Sequence, residues 1–364
     1  MTRGNTMLVV GATGVVGEAA LHHFAAAPGW DVVGISRRSP EPAANGGFHH
    51  LQLDLTDAPA CAAATRQLAA VTHVIFAAVA EQPGLVSGWR DREQMQLNLA
   101  MLSNLLDPLC ESAPGLRHVA LLQGAKAYGA HVGHTPPLPA REDAPRDPHE
   151  NFYWLQEDFL QEKATQHAFH WTIFRPQVII GAATGAAMNP LLPVVAYAAI
   201  RREEGKPFSY PGGAIQIAEL VDAGLLSQAF EWAAGADSAR NQVFNFTNGD
   251  VFAWRSAWPA LAEALGVPLG PDEPMRLSQY LEDRSDIWDH IVRRENLRPL
   301  PLARFLGQSH HYADILMRAD AGEISYPTLL STIKLRQAGF AGCVDSHAAL
   351  RNWIAIMRER RLIP

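Results

Sequence analysis

The chain has 364 residues, 48% of them hydrophobic, and a formal net charge of -7, so it can bury a large core and is long enough for one large domain and a smaller one. The acidic balance leaves no electrostatic footprint for nucleic acid, and no basic run suggests a membrane surface. The longest apolar stretch, Met188 to Ile200, contains Pro190 and Pro193 and is too short to span a bilayer.

Cys61, Cys110 and Cys343 are widely spaced and form no Cys-x-x-Cys, which predicts a reducing, cytoplasmic setting. The opening MTRGNTMLVV runs straight into a strand, which predicts no cleavable leader. Met7 to Val10 is a short apolar run followed at once by Gly11, Gly14 and Gly17, with Glu18 to Leu21 opening a helix. Strand, tight turn and helix in that order present backbone N–H groups and a positive dipole end, and glycine removes the Cβ atoms that would hold a pyrophosphate away. The turn residues Gly11, Thr13, Gly14, Val15, Val16 and Gly17 are therefore candidate dinucleotide contacts.

Asp31 to Ser36 reads as a second strand, closed by Ser36-Arg37-Arg38. At this place a carboxylate suits the ribose 2′-hydroxyl of NAD and an arginine suits the 2′-phosphate of NADP. Two arginines and no acid predict NADP(H), against the alternative of a solvated turn. Phe48 to Leu53 is a third strand ending at Asp54-Leu55, Ala58 to Ala70 a helix, and His73 to Val79 a fourth strand. Ligands of such sheets lie beyond the carboxyl ends of the strands, which puts Asp54, Leu55, Ala78, Val79 and Ala80 on the cofactor side. Asp54 is read equally as an acceptor for the adenine amino group or as the cap of the following helix.

Arg92 to Leu109 forms an amphipathic helix with Leu97, Met101, Leu105 and Leu109 on its core face. His118 to Leu122 is a fifth strand opening into Gln123-Gly124-Ala125-Lys126, Gly129 to His149 a loop over the site, and a helix starts near Asn151. Trp171 to Phe174 is a sixth strand closed by Arg175-Pro176. Beyond Gly181, Ala186 to Arg201 is an apolar segment broken by prolines that could roof a nonpolar pocket, Arg202 to Lys206 a charged loop and Ile217 to Ala233 a helix. Gln242 to Thr247 is a strand returning to the sheet, Trp254 to Leu265 a helix, and the rest mostly helical. These elements predict an α/β, extended Rossmann fold, doubly wound around a mostly parallel sheet. Residues 1–180, with a returning segment near 215–250, form the NADP-binding part, and 181–364 a smaller, mostly helical substrate part.

Reduction by a nicotinamide needs an acid near the acceptor oxygen, and tyrosine beside lysine suits the task. The pair usual in short-chain dehydrogenases, Tyr-x-x-x-Lys on one helix, is missing: Tyr153 is followed four residues on by Glu157. The chain has only four lysines among 30 basic residues, and one of them, Lys126, stands at the carboxyl end of the fifth strand, where arginine could not replace a compact ammonium. The histidine pairs His22-His23, His49-His50 and His310-His311 lack the clustering of a metal site, and no metal is expected. No Gly-x-Ser-x-Gly elbow supports a serine hydrolase. Trp232, Trp254, Trp258 and Trp353 read as core.

At the segments Gly124-Ala125-Lys126-Ala127-Tyr128 and Asn151-Phe152-Tyr153-Trp154-Leu155-Gln156-Glu157-Asp158 the sequence resembles the progesterone 5β-reductase and iridoid synthase family, an atypical branch of the extended short-chain dehydrogenases/reductases. The resemblance continues through Arg175-Pro176, Ile179, Gly181, Met188-Asn189, the run Phe244 to Phe252, Trp254, Gly339-Phe340, Trp353 and Ile363-Pro364. It implies Lys126 and Tyr153 as the catalytic pair, NADPH as hydride donor and an α,β-unsaturated carbonyl compound as acceptor. It also places Gln123, Gly124, Lys126, Tyr153, Pro176, Ile179, Ala187 and Met188 near the cofactor. His310, His311 and Tyr312 lie in a segment resembling an aromatic stretch of the family's pocket. The chain departs from the plant members at Gln123 and Ala127, at Ala80 in place of a tryptophan, at Trp154 and in a shorter loop before Tyr153. These departures border cofactor and substrate, so the resemblance implies a bacterial-type relative of broad or unknown enone specificity and does not by itself imply a steroid or an iridoid precursor as substrate. Dimerisation through the helices near Arg92 and Asn151 is the superfamily expectation. The rivals are a nucleotide-sugar epimerase or dehydratase and a non-catalytic NADP sensor.

Overall fold

The computed structural model describes residues 4–42 and 47–364. The expected glycine-rich junction forms between β1 (Asn5–Val10) and helix α1 (Val15–Ala26). It is followed by β2 (Trp30–Ser36), β3 (His49–Gln52), α2 (Ala58–Thr65), β4 (His73–Phe76), α3 (Arg92–Ser112), β5 (His118–Leu122), α4 (Phe152–His167) and β6 (His170–Pro176). The strand Gln242–Phe246 adds to the outer edge of β6, giving a seven-stranded sheet in the order Gln242–Phe246, β6, β5, β4, β1, β2, β3. Every pairing in it is parallel. Strand order reverses between β1 and β4, and that switch point is where an open sheet leaves a crevice beyond its carboxyl ends. This is an extended Rossmann fold.

The chain divides into two compact units: the described residues of Met1–Gln177 with Ala223–Phe246 and Leu330–Gly342, and Val178–Asp222 with Thr247–Leu329 and Cys343–Pro364. In the first, sheet residues such as Val10, Phe76, Val119 and Leu121 pack with Met101, Leu105 and Leu109 of α3 and Leu160 of α4. Leu97, expected on that face, is 39% exposed, and the buried position beside it is Asn98. Asn98 explains a second departure: β4 ends at Phe76 rather than Val79, because the Asn98 side chain accepts from Ala80 N at 2.8 Å and donates to Ala80 O at 3.0 Å, drawing the chain out of the sheet.

In the second unit Leu191–Glu203 is a continuous helix, buried along its length from Leu191 to Arg201, although a broken segment was expected. Pro190 is its N-cap and Pro193 lies in the first turn, where amides have no intrahelical partner to lose. Its last turn holds Arg201 and Arg202, which suit the negative dipole end, so the charged loop begins only after Glu203. The helix expected from Ile217 starts at Ala223. Ile217–Ala218 instead pairs antiparallel with Phe252–Ala253, and Leu220–Asp222 runs parallel to Val178–Ile180. The helix Trp254–Leu265 forms as expected, with Trp258 stacked on Phe208 at 4.3 Å between centroids. Trp254, Trp258 and Trp353 are buried, and Trp232 is half-buried.

Candidate active site

The glycine turn is built by close approach. Gly11 takes φ +88°, and a Cβ there would lie 2.8 Å from Ala78 N and 2.9 Å from Ala77 C. A Cβ on Gly17 would lie 2.1 Å from Gly11 O, whereas on Gly14 it would lie 3.3 Å from that oxygen. Gly11 and Ala12 N–H groups both donate to Ile35 O, at 2.9 and 3.0 Å, which fixes the turn to the end of β2. Gly14 is the N-cap of α1 and brings no side chain to the first-turn amides of Val15 and Val16. Thr13, half-buried, lies in the turn itself. A cradle so closely packed behind and free of Cβ in front suits an anionic group at the helix terminus.

At the end of β2, Ser36 donates to Arg38 O at 2.6 Å, and its hydroxyl meets His50 Nε2 at 3.0 Å. Arg37 and Arg38 are exposed, with Arg37 O accepting from Gln52. Asp54 does not cap α2; that is done by Asp57, which accepts from Ala60 N at 2.9 Å. Asp54 accepts instead from Thr56 N and Oγ1, which with the nearby Arg37 holds its carboxyl below the usual carboxylate range. Leu55 is buried, and Leu55 O accepts from Asn104 at 2.9 Å.

After β5 a short 3-10 helix, Ala125–Tyr128, turns Lys126 back across the end of the sheet. Asn151 caps α4 by accepting from Tyr153 N at 3.1 Å, and its amide donates to Lys126 O at 3.3 Å. The two segments are thereby tied, and Lys126 Nζ lies 5.9 Å from the centroid of the Tyr153 ring. Tyr153 is 6% exposed. Gly124 accommodates it: a Cβ at 124 would stand 3.1 Å from the phenolic oxygen and 3.4 Å from Pro176 O.

Sequence reasoning stopped one residue short of the lysine's partner. Glu81, directly after Ala80, has a side chain only 3% exposed and receives Lys126 Nζ at 3.4 Å. It also accepts from Trp89 Nε1 at 3.0 Å and Gln94 Nε2 at 3.2 Å. Lys126 Nζ stands 4.5 Å over the Trp89 ring. Burial pulls the ammonium below the usual lysine value, and Glu81 opposes that pull. Val79 is exposed, and Ala78 packs against the core. The acid and indole carry no periodic signal, and both come from the loop segment between β4 and α3.

Gln123, expected beside the cofactor, has its side chain hydrogen-bonded within the protein. Its amide donates to Tyr153 O at 3.2 Å and Glu157 at 2.8 Å, and its oxygen accepts from Arg175 Nε at 2.8 Å. Arg146, itself exposed, reaches Glu157 at 3.0 Å and joins this network from the solvent side. Glu157 thus occupies the position four residues after Tyr153 with a carboxylate held by arginines. The loop from Gly129 packs His131 edge-on to Trp89 at 6.2 Å, and burial, with Lys126 nearby, lowers His131 to about 3. In the second unit, Ile179 lies on Val178–Ile180, Ala187 and Met188 are half-buried ahead of Leu191–Glu203, and His310, His311 and Tyr312 lie on the helix Ser309–Met317. Burial lowers His310 to about 4.

The fold is that of an extended short-chain dehydrogenase/reductase, a class of nicotinamide-dependent enzymes. The sequence profile of the NAD dependent epimerase/dehydratase family matches residues 7–246, and the chain belongs to that family, in its iridoid synthase-like branch. It is 31% identical to (S)-8-oxocitronellyl enol synthase from Antirrhinum majus over all of this chain and 94% of that protein. The same enzyme from Catharanthus roseus is 31% identical over 98% of this chain and 92% of its own. Among solved structures, a UDP-N-acetylglucosamine 4-epimerase from Methanobrevibacter ruminantium matches with TM-score 0.66 at 14% identity, over 99% of this chain and all of that one. The UDP-glucose 4-epimerase of Thermus thermophilus in complex with NAD matches with TM-score 0.63 at 18% identity, over 97% and 99%. These structures share the fold. Among the described residues no helix is long and apolar enough to cross a membrane.

Proposed function

We propose that the protein is an NADPH-dependent reductase of activated C=C bonds in α,β-unsaturated carbonyl compounds. The observation carrying this reading is the Lys126–Tyr153 pair, joined through Asn151 at the carboxyl ends of the sheet, in a chain similar over its whole length to enol synthases. Gly11, Thr13, Gly14, Val15, Val16 and Gly17 would hold the pyrophosphate, and Arg37 and Arg38 the 2′-phosphate. Ala78, Val79, Ala80, Gly124 and Pro176 would line the rest of the cofactor path. When bound, NADPH supplies the hydride that adds to the β-carbon.

Tyr153 donates a hydrogen bond to the carbonyl oxygen, stabilising the negative charge that grows there as the enolate forms. Lys126 contributes a positive charge beside the phenol, moderated by Glu81, and the α-carbon takes its proton afterwards. The nucleotide-sugar reading is weakened by Glu157, a buried carboxylate at the position where Tyr-x-x-x-Lys enzymes carry the ammonium.

The test is NADPH oxidation against cyclic and linear enones with product analysis, run beside Tyr153→Phe. Saturated carbonyl products, and a loss of turnover of about a hundredfold in the variant with cofactor binding nearly intact, are expected. Allylic alcohol products, or tight binding of sugar nucleotides without enone turnover, would overturn the reading, and unchanged turnover in the variant would remove Tyr153 from it.

A further inference from the structure

Behind the lysine–tyrosine pair lies a chain of hydrogen bonds whose direction can be read. Asn151 Oδ1 accepts from a backbone N–H, that of Tyr153, and Asn151 Nδ2 faces a carbonyl, that of Lys126. Both contacts fix the same orientation of the amide, so Nδ2 is a donor. The second neighbour of Nδ2 is His149 Nε2, at 3.1 Å. That nitrogen must present its lone pair, which puts the ring proton on Nδ1, aimed at Asp147 Oδ1 at 2.6 Å. His134 Nδ1 reaches the same oxygen at 2.8 Å.

The members are held from several sides. The Asp147 carboxylate lies on the open face of Gly129, where a Cβ would come within 2.7 Å of Oδ2 and where φ is +77°. Burial pushes the Asp147 carboxyl up, but hydrogen bonds from His149 and His134 outweigh this and hold it below its usual range. The His149 side chain is 6% exposed, lies edge-on to His131 at 5.0 Å and to Trp154 at 6.1 Å, and its carbonyl accepts from Trp154 Nε1 at 3.2 Å.

The ligand atoms of His134, Asp147 and His149 lie within 4.8 Å of one another, as in a metal site. A metal on His149 Nδ1 would move the ring proton to Nε2 and set N–H against N–H at Asn151. The hydrogen-bonded arrangement has no such conflict.

We infer that Asp147, His149 and Asn151 form a directional relay in which neutral His149, as its Nδ1–H tautomer, is a positioning residue for Lys126 and Tyr153. The inference rests on the reductase reading for its effect on turnover, while the tautomer itself does not. Asp147 orients the imidazole, His149 accepts from the Asn151 amide, and Asn151 then fixes the Lys126 carbonyl and the first turn of α4 together. Loss of His149 frees the amide to rotate, so the ammonium and the phenol lose their common reference.

The test uses the full chain labelled with 15N in its imidazoles, at neutral pH with and without NADPH. A His149 signal with protonated Nδ1 and bare Nε2 is expected; an Nε2–H tautomer or an imidazolium overturns the relay. In parallel, His149→Phe keeps the ring and is expected to lower kcat about tenfold with the NADPH Kd within about twofold, and His149→Gln, which can still accept from Asn151, to recover part of the loss. Unchanged kcat, or equal losses in kcat and cofactor affinity without rescue, overturns the positioning role. If Tyr153→Phe leaves enone turnover unchanged, the reductase reading falls, and the tautomer measurement still decides the relay.

Discussion

Glu81 and Lys126 are joined as an ion pair inside the first unit, with Nζ 3.4 Å from a carboxylate whose side chain is almost wholly enclosed. A buried ammonium is costly unless paired, and here the pairing also limits how much positive charge the phenol of Tyr153 feels. Glu81 therefore both opposes the pull of burial on Lys126 and tempers its charge.

Replacing Glu81 by Gln should make this visible. Burial already lowers the lysine, and Glu81 is what raises it again, so without the carboxylate the ammonium is lost at lower pH. The alkaline limb of the kcat profile is expected to move to lower pH. A limb that stays in place would separate Lys126 from the rate.

Arg37→Ala is expected to weaken NADPH at least about tenfold while changing NADH little, because only NADPH offers a 2′-phosphate to the exposed arginine at the end of β2. Dissociation constants for both cofactors measure it; equal losses would defeat the assignment.

Gly17→Ala and Gly14→Ala should part company. The first drives a Cβ to 2.1 Å from a backbone oxygen that cannot swing away, the second only to 3.3 Å. Thermal and urea unfolding should show a loss of about 1–3 kcal/mol for Gly17→Ala and little for Gly14→Ala. The latter should instead lower cofactor affinity.

His73 and His118, on neighbouring strands β4 and β5, are neutral in the fold because burial lowers them to about 4 and about 3. The unfolded chain binds a proton at each below about pH 6.5, so stability is full above that value and falls as pH drops toward 4. His118→Gln can still donate to Thr172, which His118 Nε2 meets at 2.9 Å. It should flatten the loss between pH 6 and 4 by about 1.4 kcal/mol per unit. Urea titrations at several pH values test this, and an unaltered slope would refute it.

Local pattern carried most of the fold. β5 and the helix Trp254–Leu265 have the bounds that the sequence predicts, because apolar spacing and flanking residues agree there. It failed where distant partners decide. Leu220–Asp222 has residues fit for a helix and becomes a strand because Val178–Ile180 lies beside it, and β4 stops early because a side chain from α3 takes its backbone. In the site, Lys126 and Tyr153 were legible as chemistry out of place, one lysine in an arginine-rich chain and one motif at a helix start. Glu81, Trp89 and the Asp147–His149 contact were not, since each owes its role to a meeting of loops that no spacing encodes.

The first unit is assembled from three stretches of chain, the last of them Leu330–Gly342. A ribosome must deliver the chain as far as Gly342 before that unit can be whole, so the stretch through Gln177 cannot mature by itself during synthesis. A fragment cut after Gln177 would leave the outer edge of β6 without its parallel neighbour Gln242–Phe246. Such a raw edge invites pairing with other chains, and truncations made to isolate the stretch through Gln177 should give aggregates in place of a folded domain.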